Sequence, residues 1–224
     1  MTGAEGKVVI LLGPPGVGKG TQGVQLGDGF GLRHFSTGDV LRRHRKEATT
    51  LGLEAQGFMD RGELVPDGLI LDMVRSEIDG LEGKGIVLDG FPRNEAQAKA
   101  LGPVLAEVGR QVDAVVVLDA DDDVIVRRLA GRRSCPSCGS VFNVYTNPPK
   151  SEGRCDRCGS ELVHRADDQP ETIRRRLQIY RSETEPLIRF YEQSGVEMIN
   201  VNGDQAVDRV QTEIRQALSG AGPR

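Results

Sequence analysis

Short apolar runs alternate along this chain with longer amphipathic stretches. Val8 to Leu12, Gly85 to Asp89, Ala114 to Leu118 and Val196 to Val201 are mostly apolar and bounded by glycine or acidic residues, the pattern of strands buried within a parallel sheet. Lys19 to Leu26, Gly68 to Ile78, Glu95 to Val108, Asp122 to Leu129, Pro170 to Tyr191 and Gln205 to Leu218 carry their apolar residues at helical spacing. Strand and helix in turn predict an α/β fold, a doubly wound parallel sheet with helices on both faces. The rhythm fails from Ser134 to His164, where prolines, glycines and all four cysteines collect. That segment is expected to be a small inserted module.

Composition changes this picture only in part. A chain of 224 residues, 38% hydrophobic and 28% charged, has length enough for one sizeable core and an insertion. The formal charge of -4 argues against a generic polyanion-binding surface. Yet of the basic residues only Lys7, Lys19, Lys46, Lys84, Lys99 and Lys150 are lysine, and arginine is the side chain that grips phosphate with two parallel N–H groups. The opening MTGAEGKVVILLG has an apolar run too short for a signal peptide or a membrane span, so a cytoplasmic protein without membrane association is expected. Neither a heptad pattern nor a long apolar stripe calls for a partner chain, and a monomer is expected.

The first chemistry lies in GPPGVGKGT, Gly13 to Thr21, between the first apolar run and the first helical stretch. Glycines at this junction let backbone N–H groups converge on a phosphate at a helix N-terminus, and Lys19 reaches the terminal phosphates as a point charge. The pattern is that of a P-loop NTPase-like domain. It departs at one place: Gly20 stands where Ser or Thr usually holds magnesium, and Thr21 follows. The ion is then expected to be held largely through phosphates and water.

The second constellation pairs Cys135-Pro-Ser-Cys138-Gly with Cys155-Asp-Arg-Cys158-Gly. Two C-x-x-C-G knuckles at this separation fit one tetrathiolate zinc site, with two disulfides as the alternative in an oxidising compartment. Four protein thiolates would leave no open position, which makes the metal structural.

Taken with "STGD" at Ser36 to Asp39, "DGFPR" at Asp89 to Arg93, "GRR" at Gly131 to Arg133 and "DDQPETIRRRL" at Asp167 to Leu177, the loop makes the chain resemble the adenylate kinases from about Lys7 to Gly203. The cysteine module resembles the zinc-stapled lid of the long bacterial form. The resemblance implies reversible, magnesium-dependent phosphoryl transfer, ATP plus AMP giving two ADP. It implies a core of residues 1–35, 66–131 and 169–224, an AMP-binding segment 36–65, and a lid 132–168 with a four-cysteine zinc site. Both smaller pieces are expected to close over their nucleotides.

It also implies roles for residues. Lys19, Arg93, Arg128, Arg132, Arg165 and Arg176 would hold and neutralise the transferring phosphates. ATP would meet Gly13, Pro14, Gly16, Val17, Gly18, Lys19, Gly20, Thr21, Arg128, Arg132, Val141, Phe142 and Gln205. AMP would meet Thr37, Arg42, Leu64, Val65, Gly90, Arg93, Gln97, Arg165 and Arg176, and Asp89 would order magnesium-bound water. Chemistry agrees with this set, because a phosphate monoester acceptor is already anionic and needs no general base. His34, His44 and His164 are accordingly left outside the site.

Two rivals stay open. Arg132, Arg133, Arg154 and Arg157 beside the knuckles suit a zinc-ribbon nucleic-acid binder, against which stand the acidic balance and the few aromatic residues of the module, Phe142 and Tyr145. Within the enzyme class, GTP:AMP or UMP/CMP phosphotransfer shares GFPR, while Gln97 and the long lid favour AMP.

Overall fold

The computed structural model describes residues 6–220; residues 1–5 and 221–224, which the sequence assigns to the core, lie outside the described residues. Five parallel strands form the main sheet in the order β2-β3-β1-β4-β7. They are β1 (Val8–Leu12), β2 (Arg33–Ser36), β3 (Ile86–Asp89), β4 (Ala114–Asp119) and β7 (Glu197–Asn202). In register, Val9 of β1 stands between Val87 of β3 and Ala114 of β4. Successive side chains of β1 point to opposite faces. Val8, Ile10 and Leu12 enter one core; Val9 and Leu11 enter another. All five are essentially inaccessible to solvent.

Helices cover both faces. α1 (Lys19–Phe30) and α9 (Val207–Leu218) pack the second core through Leu26, Phe30, Val210, Ile214 and Leu218. The first core receives α4 (Asp67–Asp79), α5 (Glu95–Glu107) and α8 (Leu187–Gln193) through Ile70, Val74, Leu101, Leu105, Leu187 and Tyr191. A smaller cluster joins α6 (Asp122–Gly131) to α7 (Pro170–Ile179) through Ile125, Leu129, Ile173 and Leu177. The predicted doubly wound sheet is present.

Three features differ from the sequence expectation. Strand β2 has no counterpart there, because Arg33-His34-Phe35-Ser36 has no apolar run: it is an edge strand with only Phe35 and Ser36 buried. Residues 36–65 carry α2 (Thr37–Lys46) and α3 (Thr50–Arg61). Their start signals are local, since the Ser36 hydroxyl accepts from the Asp39 amide and the Thr49 hydroxyl from the Gly52 amide. Finally, the single helix expected from Pro170 to Tyr191 is broken. Five residues, Tyr180–Thr184, form a π-turn in which the Glu185 amide reaches the Tyr180 carbonyl, ahead of Pro186, which has no N–H to give.

The inserted module is small. β5 (Arg132–Ser134) and β6 (Val141–Asn143) pair antiparallel, and its buried hydrophobic cluster is Cys135, Phe142, Cys155 and Leu162.

Candidate active site

The P-loop lies between β1 and α1. Gly13 has φ 142°, and a Cβ there would stand 2.2 Å from the Leu118 carbonyl of β4, so only glycine lets the loop run this close to the sheet. Gly18, the N-cap of α1, supplies no side-chain cap, leaving the first-turn N–H groups of the helix for an anion. Lys19 Nζ donates to the carbonyls of Gly13 at 2.6 Å and Pro14 at 2.8 Å. Burial lowers its ammonium to about 8; Arg93, Arg176 and Arg132 add to the fall and Asp89 opposes it.

Lys19 looks onto a cleft of about 1360 Å³ walled by the P-loop, residues of α2, the inserted module and the α6 and α7 arginines. Gly13, Gly16, Val17, Gly18, Gly20, Thr21, Arg128, Arg132, Val141, Phe142 and Gln205 line it, as do Asp89, Arg42, Gly90, Arg93, Arg165 and Arg176. Pro14 does not; its neighbour Pro15 takes that place on the wall, and Pro14 contributes only its carbonyl to Lys19. Phe142 also packs against Cys135, Cys155 and Leu162. Tyr145 lies under the Arg127 guanidinium, 5.2 Å from its ring centroid.

Each arginine is held. Arg132 donates from Nε and Nη2 to the two oxygens of Asp168 at 2.7 and 2.5 Å. Arg176 reaches Asp167 at 3.1 Å and Asp168 at 3.3 Å. Arg165 Nε donates to the Ser134 hydroxyl, Arg128 Nη1 to the Gly203 carbonyl, Arg93 Nε to the Gly90 carbonyl and Arg42 to Asp39. Desolvation pulls Arg93, Arg165 and Arg176 down from the usual arginine range, most strongly opposed by Asp89 at Arg93, by Asp39 at Arg165 and by Asp167 at Arg176. Burial works to raise Asp167, and the arginines, Arg176 foremost, overcome it and hold the carboxyl low. The site's named cations outnumber Asp39, Asp89, Asp167 and Asp168, so it is built for a strongly anionic guest. Sequence reading shows Asp167 and Asp168 only as a joint to the module; the acidic pair between Arg165 and Arg176 is the signal that they anchor arginines.

A second cavity of about 60 Å³ adjoins the cleft and shares Arg42, Leu64, Gly90, Arg93 and Arg176 with it. Thr37, Val65 and Gln97 of the expected acceptor set also line it, whereas Arg165 lines only the larger cleft. Thr37 Oγ1 donates to the Gly90 carbonyl at 3.0 Å. Asp89, at the end of β3, lies 3.6 Å from His34 Nε2. A Cβ on Gly20 would come within 3.3 Å of Asp89 Oδ2, a tight contact that the carboxylate would have to ease by a small shift. The module touches α2 directly, for Lys46 Nζ donates to the Pro136 carbonyl at 2.9 Å.

The four cysteines are unbridged and their sulfurs lie within 4.8 Å of one another. Cys135–Cys158 and Cys138–Cys155 stand at 3.4 and 3.5 Å, close to the ~3.8 Å of four sulfurs sharing one tetrahedral zinc ion. The knuckles repeat each other. In both, the first cysteine's amide donates to the serine carbonyl after the glycine, and Gly139 and Gly159 turn the chain at φ 76° and 72°. Bonds from Ser140 bring the Cys138 thiol down to about 6, whereas burial pushes the Cys135 thiol up to about 11. Donor set and geometry are compatible with zinc.

No helix among the described residues is long and apolar enough to cross a membrane. A family model described as adenylate kinase matches residues 11–196. The adenylate kinase of Symbiobacterium thermophilum is 47% identical over 211 residues, covering 94% of this chain and 97% of that one. Those of Geobacillus sp. (strain WCH70) and Bacillus subtilis (strain 168) are 45% and 44% identical, each covering 95% of this chain and 98% of their own. A family model spanning residues 11–196 and relatives 44–47% identical over nearly the whole chain show that the chain belongs to the adenylate kinase family.

Proposed function

We propose that this chain catalyses reversible phosphoryl transfer from magnesium ATP to AMP, giving two ADP. One observation carries the reading: the half-buried Lys19 and the guanidinium groups of Arg42, Arg93, Arg128, Arg132, Arg165 and Arg176 converge, with partial neutralisation, on a single cleft joined to a second cavity. The cleft takes the donor and the acceptor phosphate, and the acceptor base lies toward the cavity. The AMP phosphate falls to Arg42 and Arg93, and its base to Thr37, Leu64, Val65, Gly90 and Gln97. Lys19, Arg128, Arg132, Arg165 and Arg176 stabilise the charge that spreads over the transferring group. Gly13, Gly16, Val17, Gly18, Gly20 and Thr21 wrap the donor phosphates, while Val141, Phe142 and Gln205 flank its base. No side chain has to remove a proton from the acceptor.

Magnesium, when bound with ATP, would neutralise the phosphate oxygens, with Asp89 ordering its water. Zinc on Cys135, Cys138, Cys155 and Cys158 would fix a module whose own core is four side chains. Residues 36–65 and 132–168 act as covers on a core formed by the remainder, excluding water that would hydrolyse the donor. The chain is read as a cytoplasmic monomer without a nucleic-acid partner; an oligonucleotide titration at low salt and a sizing measurement test those two points.

The deciding assay measures ADP formed from ATP with AMP, GMP, CMP or UMP as acceptor, for the natural chain and Lys19→Met. AMP-selective turnover that collapses in the variant is expected. Turnover on a pyrimidine monophosphate instead would overturn the acceptor assignment, and absence of any transfer would overturn the reading as a whole.

A further inference from the structure

Gln97 is 1% exposed, and the bonds that hold its amide come from two directions. Its Oε1 accepts from the Arg93 amide at 2.8 Å, and its Nε2 donates to Asp67 Oδ1 at 2.6 Å. Neither bond survives a flip of the amide. Turned over, the Gln97 oxygen would face a carboxylate and its NH2 group would face a backbone N–H. Asp67 is itself fixed, since Asn94 Nδ2 donates to both its oxygens at 3.0 and 3.3 Å while Asn94 Oδ1 caps α5 by accepting from the Gln97 backbone N–H. Asp67 is in the first turn of α4 and does not line the acceptor cavity, whereas Gln97 does.

A primary amide has two N–H groups and two lone pairs. With one of each spent on Asp67 and the Arg93 amide, Gln97 keeps one donor and one acceptor for a ligand, in a fixed sense. Adenine offers the complement, an accepting ring nitrogen beside a donating amino group. A 6-oxopurine offers the reverse, a ring N–H beside an accepting oxygen, and would need the flipped amide. We infer that Asp67 is a positioning residue that locks the Gln97 amide and so makes the acceptor site select 6-aminopurine over 6-oxopurine monophosphates. The inference rests on the reading of Gln97 as facing the acceptor base.

The test compares AMP with IMP as acceptors, at saturating ATP, for the natural chain, Gln97→Leu, Asp67→Ala, Asp67→Asn and the double variant Asp67→Ala/Gln97→Leu. Asp67→Ala is expected to lower the AMP:IMP ratio of kcat/KM about tenfold, chiefly through a higher KM for AMP, with the KM for ATP unchanged. Asp67→Asn retains an accepting oxygen and should keep most of the ratio. In the Gln97→Leu background, loss of Asp67 should change the ratio no further. If Gln97→Leu itself leaves the ratio intact, the base-facing reading of Gln97 fails and this inference falls with it. If Gln97→Leu lowers the ratio and Asp67→Ala does not, the locking role alone is overturned. Should Asp67→Ala not fold, Asp67→Glu keeps the charge at the start of α4 but displaces the oxygens, and an unaltered ratio there overturns the inference equally.

Discussion

Arg132, at the mouth of the inserted module, is clamped by two parallel hydrogen bonds to Asp168, whose side chain is wholly buried. A guanidinium held in this way presents its remaining N–H groups at one angle. Replacing Asp168 with Asn removes the charge and half of the clamp. We expect kcat to fall by about ten- to a hundredfold with both nucleotides saturating, and Arg132→Lys to fall at least as far, because an ammonium cannot make the paired bonds. Equal kcat in Asp168→Asn and the natural chain would refute this.

Lys19 starts from about 8, below the ordinary 10.5 of a lysine, because burial disfavours its charge. Anionic phosphates entering the cleft favour the charged form and raise that value. Binding of ATP near pH 8.5 should therefore take up a proton, and less so below pH 7, where Lys19 is already charged. Calorimetric titration in two buffers of different ionisation enthalpy measures the uptake; Lys19→Met should abolish most of it.

Asp167 is held low in the folded protein by Arg176 and its neighbours. A depressed carboxyl contributes stability above its unfolded value, and that contribution is lost as pH falls through the folded one. Asp167→Asn should melt below the natural chain at pH 7, and the gap should narrow below about pH 4. A gap independent of pH would point to lost hydrogen bonding alone.

Removing the zinc proposed for the four cysteines should loosen the module before it touches the sheet. After exhaustive chelation, or in Cys135→Ser, we expect the melting temperature to drop by at least about 5 °C while turnover at low temperature stays within about twofold. An unchanged melting point in protein shown to be metal-free would count against a structural metal.

At position 20 a side chain meets Asp89. Gly20→Ser should push that carboxylate aside and raise the magnesium concentration needed for half-maximal rate several-fold, with the KM for AMP unaltered. The reading fails if the magnesium dependence is unmoved.

The buried strands β1, β3 and β4 are visible in the chain because both their faces are covered and nearly every residue is apolar. The P-loop and the cysteine knuckles are visible because their chemistry is local in sequence. Strand β2 is hidden by its polar edge, and α2 and α3 by a residue pattern whose clearest marks are the caps Ser36 and Thr49. The anchors of the site are hidden for another reason. Asp168 holds Arg132 and Asp67 holds Gln97 across separations of 36 and 30 residues, which only the folded chain brings together.

β1 is a wall common to the two cores, sending Val8, Ile10 and Leu12 to one and Val9 and Leu11 to the other. Neither half of the molecule can melt while the other keeps this strand. Backbone amides from Val9 to Leu11 should then exchange with deuterium only when the whole domain opens, among the slowest in the protein. The phosphate loop begins one residue after Leu12, so the nucleotide hangs from the last piece of the chain to come undone.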